Sequence, residues 1–175
     1  MLIRNILEES VRKFDEVKAV KWLKKKEIME RSYGELMENV VSTRKGLLAE
    51  GFEGKHIALI GTSSVEWMES YLGIITGCTT AVPLDAALPC EDLIDLLNRS
   101  DSVALFLSPK LKPYLDAFLE NCPKLQKVWM LQEEVEDAPA KVYGIGELRN
   151  AGKSASADSV CPAAEDIATI IFTSG

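Results

Sequence analysis

The chain has 175 residues, 47% apolar and 27% charged, with 27 acidic against 20 basic side chains and a formal charge of −7. A chain of this length can bury about 70% of its unfolded surface in one core. The composition excludes a disordered chain, and the acidic balance argues against a nucleic-acid surface, which needs clustered positive charge.

No apolar run approaches the roughly 18 residues needed to cross a bilayer, and Glu8 and Glu9 stand where a signal peptide would carry its apolar segment. The expected setting is therefore cytoplasmic. Cys78, Cys90, Cys122 and Cys161 are scattered without a CxxC pair, and with His56 they offer no zinc spacing. They read as buried thiols, and no metal site is expected.

In chain order, apolar positions at helical spacing (Leu2, Ile3, Ile6, Leu7, Val11, Phe14) predict an N-terminal helix. Ala19–Leu23 and Glu27–Arg31 read as a hairpin joined by Lys24-Lys25-Lys26, a basic cluster extended by Lys21 and read as a solvated turn ahead of any anion or lipid-headgroup role. Ser32 and Glu35 have the spacing of a capping box, and Gly51 is placed to end the helix they start. His56–Ile60 is an apolar run of strand length. Flanking helices imply a parallel strand buried on both faces.

Gly61-Thr62-Ser63-Ser64 follows, where Ser63 and Ser64 either face a ligand or cap a helix; Ser63 with Glu66 has capping-box spacing. Gly73 and Gly77 would let that helix approach the sheet, with Trp67 in the core. Thr79–Val82 predicts a strand, Pro89 with Glu91 and Asp92 a helix start, Ser102–Leu107 a strand, and Ser108-Pro109 a further helix ending at Asn121-Cys122-Pro123. Lys127–Leu131 predicts another strand, 132–138 an acidic surface loop, and Ile145–Asn150 a short helix. The alternation predicts an α/β fold: a layered, mostly parallel sheet with helices on both faces, plus a small N-terminal β-hairpin. Residues 151–164, rich in Ala, Ser and Gly, read as a flexible connector.

The last stretch, Asp166–Gly175, is a β-branched and aromatic run that ends in Thr173-Ser174-Gly175. It reads as a buried strand that delivers a small-residue loop to its carboxyl end, the place where open α/β sheets bind ligands. Thr and Ser bring hydroxyls, and Gly lets the backbone turn its N–H groups toward a phosphate.

Three marks in sequence order resemble the adenylate-forming superfamily of acyl-CoA synthetases, non-ribosomal peptide synthetase adenylation domains and luciferases. They are Arg31-Ser32-Tyr33-Gly34-Glu35-Leu36, similar to a Thr-Tyr-x-Glu-Leu helix start; Trp67 through Leu72-Gly73-Ile74 and Gly77 to Ala81-Val82-Pro83-Leu84-Asp85; and Asp166–Gly175, similar to the opening of the signature phosphate loop. The second block is most like the acyl-CoA synthetase branch. The resemblance implies that Thr173, Ser174 and Gly175 begin the loop that wraps the β- and γ-phosphates of ATP. A carboxylate would then attack the α-phosphate, and a thiol would take the acyl group.

Ser32 stands where Thr is common, which keeps the cap hydroxyl. The loop lysine, the Thr-Glu that would hold Mg2+, the ribose-binding acid, the hinge and the C-terminal lysine do not occur in residues 1–175. The resemblance therefore implies the N-terminal subdomain (1–175) of the large domain of an acid–thiol ligase. It would have no catalytic residue of its own and be inactive alone. ATP, Mg2+, CoA and a fatty or other carboxylic acid would be bound through the missing part, and none is expected on this stretch by itself. Unpaired edges would favour self-association into a homo-oligomer. The competing expectation is a free-standing α/β binding or interaction module; a P-loop enzyme is disfavoured because no Gly-Lys-Ser/Thr occurs.

Overall fold

The computed structural model describes residues 2–155 and 160–173. It opens with helix α1 (Ile3–Phe14) and an antiparallel hairpin of β1 (Lys18–Lys24) and β2 (Glu27–Ser32). Ser32 starts α2 (Tyr33–Ala49) through the expected capping box. Its hydroxyl accepts from the Glu35 N–H, and the Glu35 carboxylate accepts from the Ser32 N–H at 2.7 Å. Gly51 follows the helix at φ +81°, a left-handed conformation that favours glycine.

Strand and helix then alternate: β3 (His56–Ile60), α3 (Val65–Ile75), β4 (Thr80–Leu84), α4 (Cys90–Arg99), β5 (Ala104–Leu107), a 3-10 turn over Pro109–Tyr114, α5 (Leu115–Asn121), β6 (Lys127–Met130), β7 (Val142–Gly144) and α6 (Ile145–Ser154). The sheet runs β4-β3-β5-β6-β7 and every pairing is parallel. This is a doubly wound order, in which the sheet grows outward from β3 in both directions.

Alternate residues of each strand point to opposite faces, and both faces are covered, which is why the strands read as continuous apolar runs. On one side Ala58, Ile60, Leu105, Leu107 and Met130 meet Leu93 and Leu97 of α4 and Leu115 and Phe118 of α5. On the other, Ile57, Leu59, Phe106 and Trp129 meet Leu47 of α2, Ile74 and Ile75 of α3, and Ile145 and Leu148 of α6. Each such side chain contributes about 1.5–3 kcal/mol when fully buried.

Several details differ from the sequence reading. The helix after Ser108 begins as a 3-10 turn, because Pro109 and Pro113 remove backbone donors from its first residues. The cap of α3 is Ser64, whose side chain accepts from the Trp67 N–H at 3.1 Å, and Ser63 stays outside the cap. Gly73 and Gly77 admit α2, not the sheet: a β-carbon would come within 2.8 Å of Thr43 at the first and 2.6 Å of the Arg44 side chain at the second. β7 was not anticipated. The helix expected over Ile145–Asn150 runs on to Ser154, because Gly152 lies directly against the Ser42 carbonyl of α2. Of the four thiols, Cys122 is buried, Cys78 and Cys90 are half-buried and Cys161 is exposed.

A buried ionic cluster ties α2, α3 and α6 together. Glu69 of α3 is fully buried and accepts from Arg31, from Asn39 Nδ2 at 3.1 Å and from Arg149 Nη2 at 2.9 Å. Arg149, also buried, donates in addition to Glu133 Oε1 at 3.2 Å.

Candidate functional site

Residues 167–173 run parallel to β4 on its outer side. The Ala81 N–H donates to the Ala168 carbonyl and the Ile170 N–H donates to the Ala81 carbonyl, both at 2.9 Å. Two hydroxyl contacts fix the register: Thr80 Oγ1 donates to the Ile167 carbonyl at 2.9 Å, and Tyr71 Oη lies 2.8 Å from Thr169 Oγ1. Ile170 and Phe172 pack against the α4 side of the core. Ile167 and Ile171, by contrast, are 66% and 68% exposed. The expected buried strand is therefore a single-bridge segment at the sheet edge. Its apolar sequence matches two-sided burial, but among the described residues nothing covers its outer side.

Because the segment is parallel to β4, it carries Thr173 to the carboxyl end of the sheet. Thr173 is exposed and opens, with Phe172, onto a cavity of about 490 Å³ walled by Pro83, Leu84 and Asp85 at the end of β4 and by Leu88, Asp92, Asp95 and Leu96. Asp85 is held by a turn in which its carboxylate accepts from the Ala87 N–H at 2.9 Å. Asp95 lies 3.3 Å from Arg99, whose guanidinium also sits 5.8 Å from the Phe172 ring centre. Ser174 and Gly175, the other two expected loop residues, lie outside the described residues.

The cavity has the wall of a ligand site and the wrong charge for a bare anion. Its lining includes three carboxylates and no lysine or arginine. The described residues do not by themselves fit a triphosphate, and no chemical step is assigned to them. No group of three or more His, Cys, Asp or Glu is placed to hold a metal among the described residues.

The other hydroxyl-rich loop, Gly61–Ser64, also sits at a strand's carboxyl end, where Trp67 stacks on Tyr71 at 5.4 Å. Its described role is capping. A larger cavity of about 620 Å³ lies at the opposite end of the sheet, by Gly54, Cys78, Thr79 and Cys161, away from Thr173.

A doubly wound sheet with an added parallel segment at its edge defines an α/β domain of the architecture in which ligands lie at the strand ends. The chain belongs to the AMP-binding enzyme family, whose model matches residues 7–175. Long chain acyl-CoA synthetase 8 of Arabidopsis thaliana is 25% identical over 155 residues, which is 83% of this chain and 22% of that protein. The peroxisomal long chain acyl-CoA synthetase 7 of the same plant is 26% identical over 152 residues, 82% of this chain and 22% of that protein.

Among solved structures, coronafacic acid ligase from Pectobacterium brasiliense matches with a TM-score of 0.85 at 20% identity, over 98% of this chain and 33% of the ligase. The N-terminal domain of FACL13 from Mycobacterium tuberculosis matches with a TM-score of 0.75 at 20% identity, over 99% of this chain and 42% of that one. These structural likenesses show the fold. The chain spans 22% of the length of the curated relatives it matches. The resemblance read from residues 31–36, 67–85 and 166–175 is thus to the right family. No described helix is long and apolar enough to cross a membrane.

Proposed function

We propose that this chain is the first part of the large domain of an ATP-dependent acid–thiol ligase. In the reaction, a carboxylate oxygen of a fatty or other carboxylic acid bonds to the α-phosphorus of ATP and pyrophosphate leaves. A CoA thiol then attacks the acyl carbon and AMP leaves. The likeness to two long-chain acyl-CoA synthetases over more than four-fifths of the chain supports the reading. The observation that carries it to a site is the parallel docking of residues 167–173 on β4, which brings Thr173 to the strand ends.

In this proposal Thr173, Ser174 and Gly175 open the phosphate loop, and ATP, Mg2+, CoA and the acid bind through residues beyond this chain. The 175-residue chain alone is inactive. The setting proposed for it is cytoplasmic. The bare outer edge at Ile167 and Ile171 favours self-association of the isolated chain.

The test extends the reading frame past Gly175 and measures acid-dependent ATP–pyrophosphate exchange and acyl-CoA formation. The extended protein should catalyse both with a long-chain acid, and the isolated chain neither. Failure of the extended protein across a series of acids overturns the ligase reading. Exchange by the isolated chain overturns its inactivity.

A further inference from the structure

We propose that the tip of the N-terminal hairpin is a docking element for an anionic lipid bilayer surface. Every residue from Leu23 to Glu30 is exposed, so the tip projects from the domain as a convex finger. Leu23 and Ile28 are direct cross-strand partners and therefore share one face, and they are 71% and 73% exposed. A bare aliphatic pair at the end of a finger is unfavourable in water, and a convex tip suits a flat acceptor better than a groove does.

The turn itself adds a second, independent observation. Lys25 and Lys26 both take positive φ, 47° and 72°. Two-residue hairpin turns of this kind favour Asn-Gly, because a β-carbon is disfavoured in the left-handed region. Local stability therefore does not account for two lysines there. Lys24, Lys25 and Lys26 make no ion pair among the described residues, and Glu27 is the one carboxylate between Leu23 and Met29. The next acid, Glu30, is already held by Lys21 at 3.2 Å and Lys18 at 3.5 Å.

On a chain of net charge −7, the tip is thus a local concentration of free positive charge beside exposed aliphatic carbon. A bilayer interface with anionic headgroups accommodates both at once: Leu23 and Ile28 enter the boundary with the acyl chains while the lysine stems lie along it and their ammonium groups meet phosphate and carboxylate. The inference does not depend on the ligase reading.

The experiment is co-sedimentation of the 175-residue chain with phosphatidylcholine vesicles, with and without about 30% phosphatidylserine, at low and moderate salt. Binding should require phosphatidylserine and weaken as salt rises. The triple variant Lys24→Gln/Lys25→Gln/Lys26→Gln should lose on the order of a hundredfold in partitioning. Leu23→Ser/Ile28→Ser should bind more weakly with its salt dependence kept.

The variant Lys25→Asn/Lys26→Gly separates docking from folding. It should melt at or above the temperature of the parent, because the turn is relaxed, yet bind about thirtyfold more weakly. Four results overturn the proposal: no binding to either vesicle, equal binding to both, binding that survives loss of the lysines, or an effect of Leu23→Ser/Ile28→Ser confined to dissolving self-associated protein. The last would assign the face to a second copy of the chain.

Discussion

Replacing Glu69 by Ala tests whether the helix layer over the α2–α3–α6 face is held by buried charge. Glu69 is 0% exposed and accepts from three donors on three different elements: Arg31 of β2, Asn39 of α2 and Arg149 of α6. Without it, Arg31 is close enough to the surface to turn toward water, and Asn39 loses one hydrogen bond. Arg149 cannot follow. Its side chain is nearly fully buried, and its remaining carboxylate partner, Glu133, is 64% exposed and pulls from the solvent side.

Removing one partner of a buried pair costs about 3–5 kcal/mol, because a desolvated charge stays behind. For a domain of this size each kcal/mol shifts the melting temperature by about 2–4 °C. Glu69→Ala should therefore lower Tm by roughly 10 °C, measured by calorimetry and checked by urea midpoint. Glu69→Gln keeps the shape and one acceptor oxygen, and should lose less. Glu69→Met/Arg149→Met removes the charge and its partner together, so it should be more stable than Glu69→Ala alone. A loss below about 1 kcal/mol for Glu69→Ala, or a double variant that falls by the sum of the two singles, would refute the reasoning.

Three further outcomes follow from packing and burial. Gly152→Ala places a β-carbon 1.8 Å from the Ser42 carbonyl oxygen, so α6 must lift from α2; a loss of about 2–3 kcal/mol or more is expected in urea, against about 1 kcal/mol for Gly51→Ala, which meets nothing but has positive φ. Burial pushes the Cys122 thiol up from 9.0 to about 11, so at neutral pH a thiol reagent should modify exposed Cys161 first and Cys122 only on unfolding. Because the unfolded chain gives up that proton before the folded one, stability should fall as pH rises from about 9 to about 11, and Cys122→Ala should flatten the slope.

What could be read in the sequence was set by local rules that tertiary structure reinforces. The His56–Ile60 run, buried on both faces, admits few alternatives to a central parallel strand, and the Ser32–Glu35 box is defined within four residues. What was missed depends on partners distant in sequence. Three residues, Val142–Gly144, are too few to show a period, and β7 exists because it pairs with β6. The Ala-Gly-Lys-Ser end of α6 has the composition of a loop, and its fit on Ser42 overrides propensity. Glu69 and Arg149 look like ordinary charges on solvated helix faces, since nothing near them in sequence records that α2 packs against both α3 and α6.

The candidate site shows the same division, with a consequence for chemistry. Thr173 is placed by resemblance, whereas the acidity of its surroundings is not legible, because Asp85 enters only as the end of the Ala81–Asp85 block and Asp92 only as part of a helix start. Asp85, Asp92 and Asp95 line one cavity with it, and among the described residues only Asp95 has a cation beside it, Arg99. Asp85 and Asp92 are exposed, so water and salt screen them, but their sign still opposes a triphosphate and nothing in the cavity lining offsets it. Under the proposal, the hydroxyl of Thr173 would meet a phosphate together with positive charge brought from elsewhere. The acidic, lysine- and arginine-free lining thus supports the proposal that ATP, its metal ion and the phosphate-neutralising side chains would meet beyond this chain, against the edge of β4.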